Sequence, residues 1–238
     1  MSIVLILGAA AALANVAGGF AVLRAKPARR TLHAFIAFGA GFLLSVALVE
    51  MVPESLRTMP EQGAMLALLG FCGVHLLEHT ITQHFHFGEE THSDEFLHAH
   101  TGYSVVVGLS AHAFFDGVAI ASGFLVSGRI GWLIFIAILL HKLPEGFTVA
   151  SVMLAAGRSR GAALGAAVAL GVATLAGVVL LHSLPQLVRF GLPLAAGVAL
   201  YVAATDLLPE VNRQHGLIYR LMFFGGVAVF LMLDMLGA

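Results

Sequence analysis

GAGFLLSVALVEMVPE, at residues 39–54, is the stretch of this chain that decides its fold, because it recurs. The second copy is AAGVALYVAATDLLPE at residues 195–210, and the two align without a gap. Among the positions that agree are Gly41 with Gly197, Glu50 with Asp206, Pro53 with Pro209 and Glu54 with Glu210. A weaker match joins LGAAAALANVAG (7–18) to LGAAVALGVATL (164–175). The pattern predicts an internal repeat.

The composition predicts that the repeat lies in a membrane. Of 238 residues, 59% are hydrophobic and 11% are charged, whereas a soluble domain has roughly a quarter charged residues. A spanning helix needs about twenty apolar residues. Eight such stretches predict a single all-α polytopic transmembrane domain over 1–238, with helices at about 2–23, 32–53, 62–81, 102–125, 130–155, 159–182, 187–208 and 217–237.

The order of the spans makes the repeat an inverted one. The matching segments lie five spans apart, and an odd offset means that the two copies cross the membrane in opposite directions. Spans 1–3 and 6–8 then flank a central pair, spans 4 and 5. Inverted repeats are frequent in transporters, which place the substrate site near the midplane between the copies.

Lysine and arginine predict the orientation, because loops rich in them stay cytoplasmic. Alternate loops on one side carry eight basic residues: Arg24, Lys26, Arg29, Arg30, Arg158, Arg160, Arg213 and Arg220. The other side carries three: Arg57, Arg129 and Arg189. We therefore expect both termini to be extracytoplasmic and the polar loop 82–101 to be cytoplasmic, in a protein of the cell (inner) membrane. No basic run suited to nucleic acid and no nucleotide motif occurs, and the one cysteine, Cys72, excludes a disulfide framework.

Spans 4 and 5 share a second pattern that carries chemistry. HAFFDGVAIAS (112–122) and HKLPEGFTVAS (141–151) each place a His and a carboxylate four residues apart, so that both lie on one face of a helix. Ionisable groups at this depth are costly and normally face a cavity or each other. Two imidazoles and two carboxylates suit a divalent ion such as Zn²⁺, and could also hold Fe²⁺, Mn²⁺, Co²⁺ or Cd²⁺.

Other interpretations of these residues stay open at this stage. An intramembrane zinc-dependent hydrolase would use the same donors, although a catalytic zinc usually keeps an open water position and no separate general acid or base is evident. A b-type haem carrier would use His112 and His141 as axial ligands, although the acids suit a porphyrin poorly. The four polar groups could also be buried clamps that hold helices together.

The two motifs and the eight spans resemble the ZIP (Zrt/Irt-like) family of divalent metal transporters. Members typically carry a His-Asn-x-Pro-Glu-Gly motif on span 4 and a related motif on span 5, of which HxxxDG and HKxPEG look like variants. The resemblance implies a metal site of His112, Asp116, His141 and Glu145. It also implies that zinc moves into the cytoplasm by alternating access, with spans 1, 4, 5 and 6 as a moving bundle, spans 2, 3, 7 and 8 as a scaffold that forms a homodimer, and no enzymatic activity or prosthetic group.

The chain departs from the family pattern beside each His. Many members bind a second metal through the residue after each His and an acid on span 6. Here those residues are Ala113 and Lys142, and span 6 (159–182) has no acid. We therefore expect one transported metal, with the Lys142 ammonium in place of the second cation.

Further polar residues are candidates for the route to and from the site. The repeat-related acids Glu50 and Asp206 are candidate entrance and exit ligands, although they could equally be interfacial acids, and His75 and His79 share a face of span 3 that leads to the loop. The loop is rich in His and acids and is expected to contact metal loosely, the alternative being a solvated connector. Its candidate ligands are His84, His86, His92, His98 and His100.

Overall fold

The computed structural model describes residues 3–24, 29–81 and 99–236, and every regular element in those ranges is helical. The side chains of 29, 81 and 99–101 are not described. Eight helices are long and apolar enough to cross a membrane, which confirms the predicted all-α polytopic class. They are α1 (Ile3–Arg24), α2 (Arg29–Ser45, continuing through Val46–Met51 and Val52–Thr58), α3 (Gly63–Ile81), α4 (Ala99–Val126), α5 (Gly128–Ala155), α6 (Arg160–Ser183), α7 (Val188–Tyr201, continuing through Val202–Leu207 and Leu208–Arg213) and α8 (Leu217–Met235).

The outer surface of the bundle is apolar, as an integral membrane protein requires. Large hydrophobic side chains are strongly exposed on α1, α3 and α8, for example Leu13, Met65 and Phe224, each of which is at least 60% exposed. The carboxylates of the spans and Lys142 are instead buried or half-buried, among them the candidate ligands, whereas the arginines are mostly exposed near the helix ends. In a bilayer, lipid tails would cover the exposed apolar faces.

Two predicted helix ends are wrong, and in the same way. The sequence places the ends of α2 and α7 at 53 and 208, at the proline of each repeat copy, but the helices continue to Thr58 and Arg213. A π-helical segment precedes each proline, at Val46–Met51 and Val202–Leu207. A proline ring normally collides with the carbonyl four residues earlier, and the wider π turn relieves that collision. The two π segments occupy equivalent positions of the repeat.

The helices associate in a pattern that the inverted repeat explains. In one group α1 packs against α5 and α6, and α4 packs against α5 and α6; in the other, α2 packs against α8, and α3 against α7. The groups meet where α4 contacts α7 and α2 contacts α5. Exchanging α1 with α6, α2 with α7, α3 with α8 and α4 with α5 leaves these closest pairings unchanged.

Glycines set the contacts of the two motif helices. A Cβ on Gly117 of α4 would lie 1.9 Å from the Thr174 carbonyl oxygen, and one on Gly146 of α5 would lie 1.9 Å from that of Asn15. Backbone approaches this close require the absence of a side chain. The contacts make Asn15 and Thr174 equivalent, whereas the sequence match of 7–18 with 164–175 paired Asn15 with Val172. That match was therefore out of register by two residues.

Candidate metal centre

The four motif residues converge at the contact of α4 with α5. His112 and Asp116 from α4 and His141 and Glu145 from α5 can each offer one donor atom, and these atoms all lie within 4.8 Å of one another. The four residues are between 1% and 4% exposed. They form the one such group of three or more His, Cys, Asp or Glu residues in the described part of the chain.

The distances around Asp116 match those of a metal site. Its Oδ2 lies 3.2 Å from Nε2 of His112 and 3.4 Å from Nε2 of His141. Metal–ligand bonds of about 2.0–2.2 Å in tetrahedral geometry separate neighbouring donor atoms by about 3.4 Å. The two distances from Oδ2 of Asp116 are thus close to those between zinc ligands.

The orientation of the His141 ring strengthens this interpretation. Its Nδ1 lies 2.9 Å from the carbonyl oxygen of Ala137 and donates a hydrogen bond there. This contact directs Nε2 toward Oδ2 of Asp116, 3.4 Å away. Hydrogen bonding of the outer nitrogen to a carbonyl is also the usual way in which a metal-ligating His is oriented.

Two further atoms of the site that could bind a metal ion have no hydrogen-bond partner. Oε1 of Glu145 and Nδ1 of His112 are buried and form no hydrogen bond. A buried acceptor without a partner costs roughly 1–3 kcal/mol. A metal ion bound by the carboxylate of Glu145 would satisfy its oxygen.

Lys142 lies inside the site and does not reach toward the surface. It is fully buried, and its Nζ lies 2.6 Å from Oδ2 of Asp116 and 2.5 Å from Oε2 of Glu145. The ammonium thereby bridges the carboxylates of α4 and α5. Unpaired carboxylates at this depth would be strongly unfavourable, so that Lys142 neutralises them in the arrangement described. A metal ion bound to the same oxygens has to displace the ammonium.

Asn15 of α1 belongs to the site but was missed in the sequence. It is fully buried, and the amide orientation that suits both of its polar atoms places Nδ2 2.6 Å from the Lys142 carbonyl oxygen and 3.3 Å from Oε2 of Glu145. The available signal was one amide in an otherwise apolar span. The register needed to direct it toward α5 was not readable.

The repeat-related acids lie apart from this centre. Glu50 of α2 pairs with Arg129 of α5, whose Nη2 lies 2.8 Å from Oε1 of Glu50. Asp206 of α7 is buried, accepts a hydrogen bond of 3.4 Å from Thr205 and interacts with the Glu78 carboxylate. Neither acid joins the four-residue group.

The remaining candidates also lie outside the centre. His75 and His79 are exposed on α3 with ring centroids 4.1 Å apart, and Nδ1 of His79 lies 2.9 Å from the carbonyl oxygen of His75. His100 is the second residue of α4, and its side chain is not described. The other candidates of the loop, His84, His86, His92 and His98, lie outside the described residues.

Comparison with known proteins decides the family. The sequence profile described as ZIP Zinc transporter matches residues 88–234, which is more than half of the chain and includes both motif helices. The chain belongs to the ZIP zinc transporter family. Membership confirms the resemblance drawn from the HxxxDG and HKxPEG motifs.

Individual ZIP relatives cover the chain in part. The zebrafish (Danio rerio) protein named Zinc transporter ZIP13 is 32% identical over 144 residues, which are 56% of this chain and 41% of that protein. The mouse (Mus musculus) ZIP13 is 30% identical over 151 residues, 57% of this chain and 40% of its own. The yeast (Saccharomyces cerevisiae) Zinc transporter YKE4 is 24% identical over 214 residues, 76% of this chain and 61% of its own. The chain thus matches about two fifths of the length of these ZIP13 relatives.

Proposed function

We propose that this ZIP family protein carries a divalent metal ion, zinc in the first instance, across the membrane into the cytoplasm. The observation that carries the proposal is the convergence of two imidazoles and two carboxylates, with Nε2 of His141 directed at the Asp116 carboxylate 3.4 Å away. The relatives' names describe zinc transporters. Fe²⁺, Mn²⁺, Co²⁺ and Cd²⁺ accept the same donor types and are the competing substrates.

The helix packing supports transport by alternating access. The ligands all belong to α4 and α5, within the group α1, α4, α5 and α6, and contacts with the second group are concentrated between α4 and α7 and between α2 and α5. Movement of the first group against a scaffold of α2, α3, α7 and α8, which we propose to form the homodimer, would expose the site to each side in turn. Glu50 and Asp206 occupy equivalent positions in the two repeat copies, and we propose them as the entrance and exit ligands. His75 and His79 would follow Asp206 on the route to the cytoplasm.

We propose that one metal ion binds at a time. Ala113 and Lys142 follow the two site histidines, both are fully buried, and the Lys142 ammonium lies where a second cation would contact the same carboxylates. The described helix α6, Arg160–Ser183, contains no acid. The first metal ion would displace the ammonium from the shared oxygens, and the displaced ammonium, still beside the same carboxylates, would repel a second divalent ion.

The geometry favours a carrier over the two alternatives. A haem bound by His112 and His141 would need its porphyrin between rings whose centroids are 5.7 Å apart, but Oδ2 of Asp116 lies there, within 3.4 Å of both Nε2 atoms. A hydrolase would need a general acid or base beyond the four ligands, and Lys142 is tied to two of them. Membership in a family of zinc transporters also disfavours hydrolysis.

The test is zinc uptake into liposomes that contain the purified full chain and a trapped fluorescent zinc indicator. Wild type should take up zinc, and His141→Ala/Glu145→Ala should lose uptake because two of four ligands are gone. The matched control, His182→Ala/Glu61→Ala, removes an exposed His and an exposed Glu outside the site and should transport as wild type does. Tightly retained zinc without uptake in wild type would contradict the proposal.

The stoichiometry of bound metal tests the single-ion part separately. Equilibrium dialysis followed by elemental analysis should find one zinc per wild-type chain. Lys142→Ala should still bind zinc but discriminate less, or differently, between zinc and the other divalent ions. Glu145→Ala should abolish transport. Two zinc ions per wild-type chain would show that Lys142 does not replace the second cation.

A further inference from the structure

Three charged side chains from three helices meet at one end of the bundle. Arg129, in the first turn of α5, contacts Glu50 of α2 and Asp234 of α8. The Glu50 side chain is 10% exposed, and those of Arg129 and Asp234 are 34% and 30% exposed. We call this end the Arg129 face. By the orientation expected from the basic residues, it is the extracytoplasmic one.

The contact joins the two helix groups. Arg129 belongs to α5, which carries His141 and Glu145, whereas Glu50 and Asp234 belong to α2 and α8, which lie in the other group. Ser127 fixes the start of α5, since its Oγ accepts a hydrogen bond of 3.1 Å from the Ile130 amide. A motion that opens the Arg129 face therefore has to separate the guanidinium from both carboxylates.

The inverted repeat relates each of these three residues to an equivalent residue at the opposite end of the bundle. We call that end the Asp206 face. Glu50 corresponds to Asp206 through the repeat. The close approach of Gly70 to the Leu194 carbonyl, 2.1 Å from an added Cβ, is repeated by Gly226 and Phe38 at the same distance. The difference in residue number that relates α3 to α8 is therefore the same as the one that relates 39–54 to 195–210. By this difference, Asp234 is the equivalent of Glu78.

The third position holds different residue types in the two motif helices. Helices α4 and α5 have the same length, 28 residues, and Arg129 and His100 are their second residues. The carboxylates of Glu78 and Asp206 interact with each other, and Glu78 also shares a hydrogen bond with Tyr201. Each face thus has two acids, Glu50 with Asp234 and Asp206 with Glu78. An arginine is the second residue of α5, whereas the second residue of α4 is a histidine.

We propose that Arg129 is a latch residue that holds the Arg129 face closed, because its guanidinium joins α5 of one helix group to α2 and α8 of the other. The inference rests on the proposed function, since a latch matters only in a carrier that opens alternately. A guanidinium can bond two carboxylates at once in a fixed planar geometry. Loss of a partly exposed ion pair of this kind should change the open population about fivefold.

The test uses two equivalent reporters on the full chain in liposomes, in a Cys72→Ser background. Ala47→Cys lies in the π segment on the Arg129 face and Ala203→Cys at the same place on the other face, and both alanines are fully buried. A small hydrophilic thiol reagent reports how often each face opens. Arg129→Gln should raise labelling at Ala47→Cys about fivefold and lower labelling at Ala203→Cys. Arg129→Lys, which keeps the charge, should restore part of the difference.

The control removes a cation from the same face without breaking a contact between the groups. Arg57 is exposed and pairs only within α2, with Glu54 at 2.8 Å, so Arg57→Gln should leave both labelling rates unchanged. Unchanged labelling at Ala47→Cys in Arg129→Gln, or an equal rise at both reporters, would overturn the latch, since the latter indicates general loosening.

Zinc uptake by the same preparations separates the two proposals. If wild type transports zinc but Arg129→Gln labels as wild type does, the latch is wrong and the carrier stands. If labelling shifts as expected but wild type transports no metal, the carrier proposal fails while Arg129 still controls which face opens.

Discussion

Among single residues, Asn15 offers the most specific test of how the metal ligands are held. Its amide hydrogen-bonds the Lys142 carbonyl and Glu145 Oε2 from another helix, so it fixes the carboxylate without being a ligand. Asn15→Leu keeps the side-chain size but removes both bonds, each worth about 1 kcal/mol. We expect the zinc concentration for half-maximal uptake to rise about fivefold to tenfold. Concentration-dependent uptake into liposomes measures this.

The inverted repeat provides the control for Asn15. Thr174 is its equivalent on α6 and is also fully buried, but its hydroxyl donates to the Leu170 carbonyl at 3.1 Å, within its own helix. Thr174→Val should therefore leave the half-maximal zinc concentration near the wild-type value. Equal effects of the two substitutions would mean that Asn15 acts through packing alone.

The sequence predicts the ligands better than the groups around them. The His–carboxylate spacing places His112 with Asp116 and His141 with Glu145 because positions four apart share a helix face. The spacing does not tell which face of α1 meets α5, so Asn15 was missed. It also does not tell that Arg129 would meet Glu50, because that pair depends on the packing of helices distant in sequence.

At the scale of helices, the contacts of α4 with α6 and of α5 with α1 depend on glycines, of which Gly117 and Gly146 lie on the motif helices. A methyl group at Gly146 or Gly117 would lie 1.9 Å from a backbone carbonyl oxygen, and backbone cannot move aside as a side chain can. Overpacking of this kind costs about 1–3 kcal/mol. We expect Gly146→Ala and Gly117→Ala each to lower the melting temperature in detergent by about 3–10 °C and to impair uptake, because Glu145 and Asp116 are the preceding residues.

Gly165 of α6 is the matched control for these substitutions. A Cβ there meets nothing within 4 Å, and alanine favours a helix over glycine by about 1 kcal/mol. Gly165→Ala should thus leave the melting temperature unchanged or raise it. A melting temperature of Gly146→Ala equal to that of Gly165→Ala would show that α1 and α5 do not approach as closely as described.

Helix ends were predictable except where a proline changed the type of turn. The apolar stretches place most ends within three residues, because the length of a span is set by the bilayer. The ends of α2 and α7 were wrong because the apolar runs that predict spans stop near the prolines, whereas the helices continue past them after the π segments Val46–Met51 and Val202–Leu207. Nothing in the residue types distinguishes a π turn from an α turn, although its recurrence in both repeat copies follows once one is known.

For the whole molecule, the excess of basic residues on one side makes a prediction about orientation that no internal contact can test. The connections after α2 and α6 should face outward, and those before α6 and α8 should face the cytoplasm. Single cysteines at exposed positions, in a Cys72→Ser background, report this in intact cells with a membrane-impermeant maleimide. The outward positions should react and the inward ones should react only after permeabilisation: Glu61 and Gln186 outward, Arg160 and His215 inward.

The same measurement determines which way the two faces of the carrier point. Glu61 follows α2, whose end carries Glu50, so outward labelling at Glu61 places the Arg129 face outside and the Asp206 face toward the cytoplasm. In the proposed carrier, an outer face held closed by Arg129 would keep the empty protein open inward, the side on which uptake has to release its ion. Labelling of Arg160 and His215 in intact cells would reverse this order, and the proposed uptake would then have to run outward.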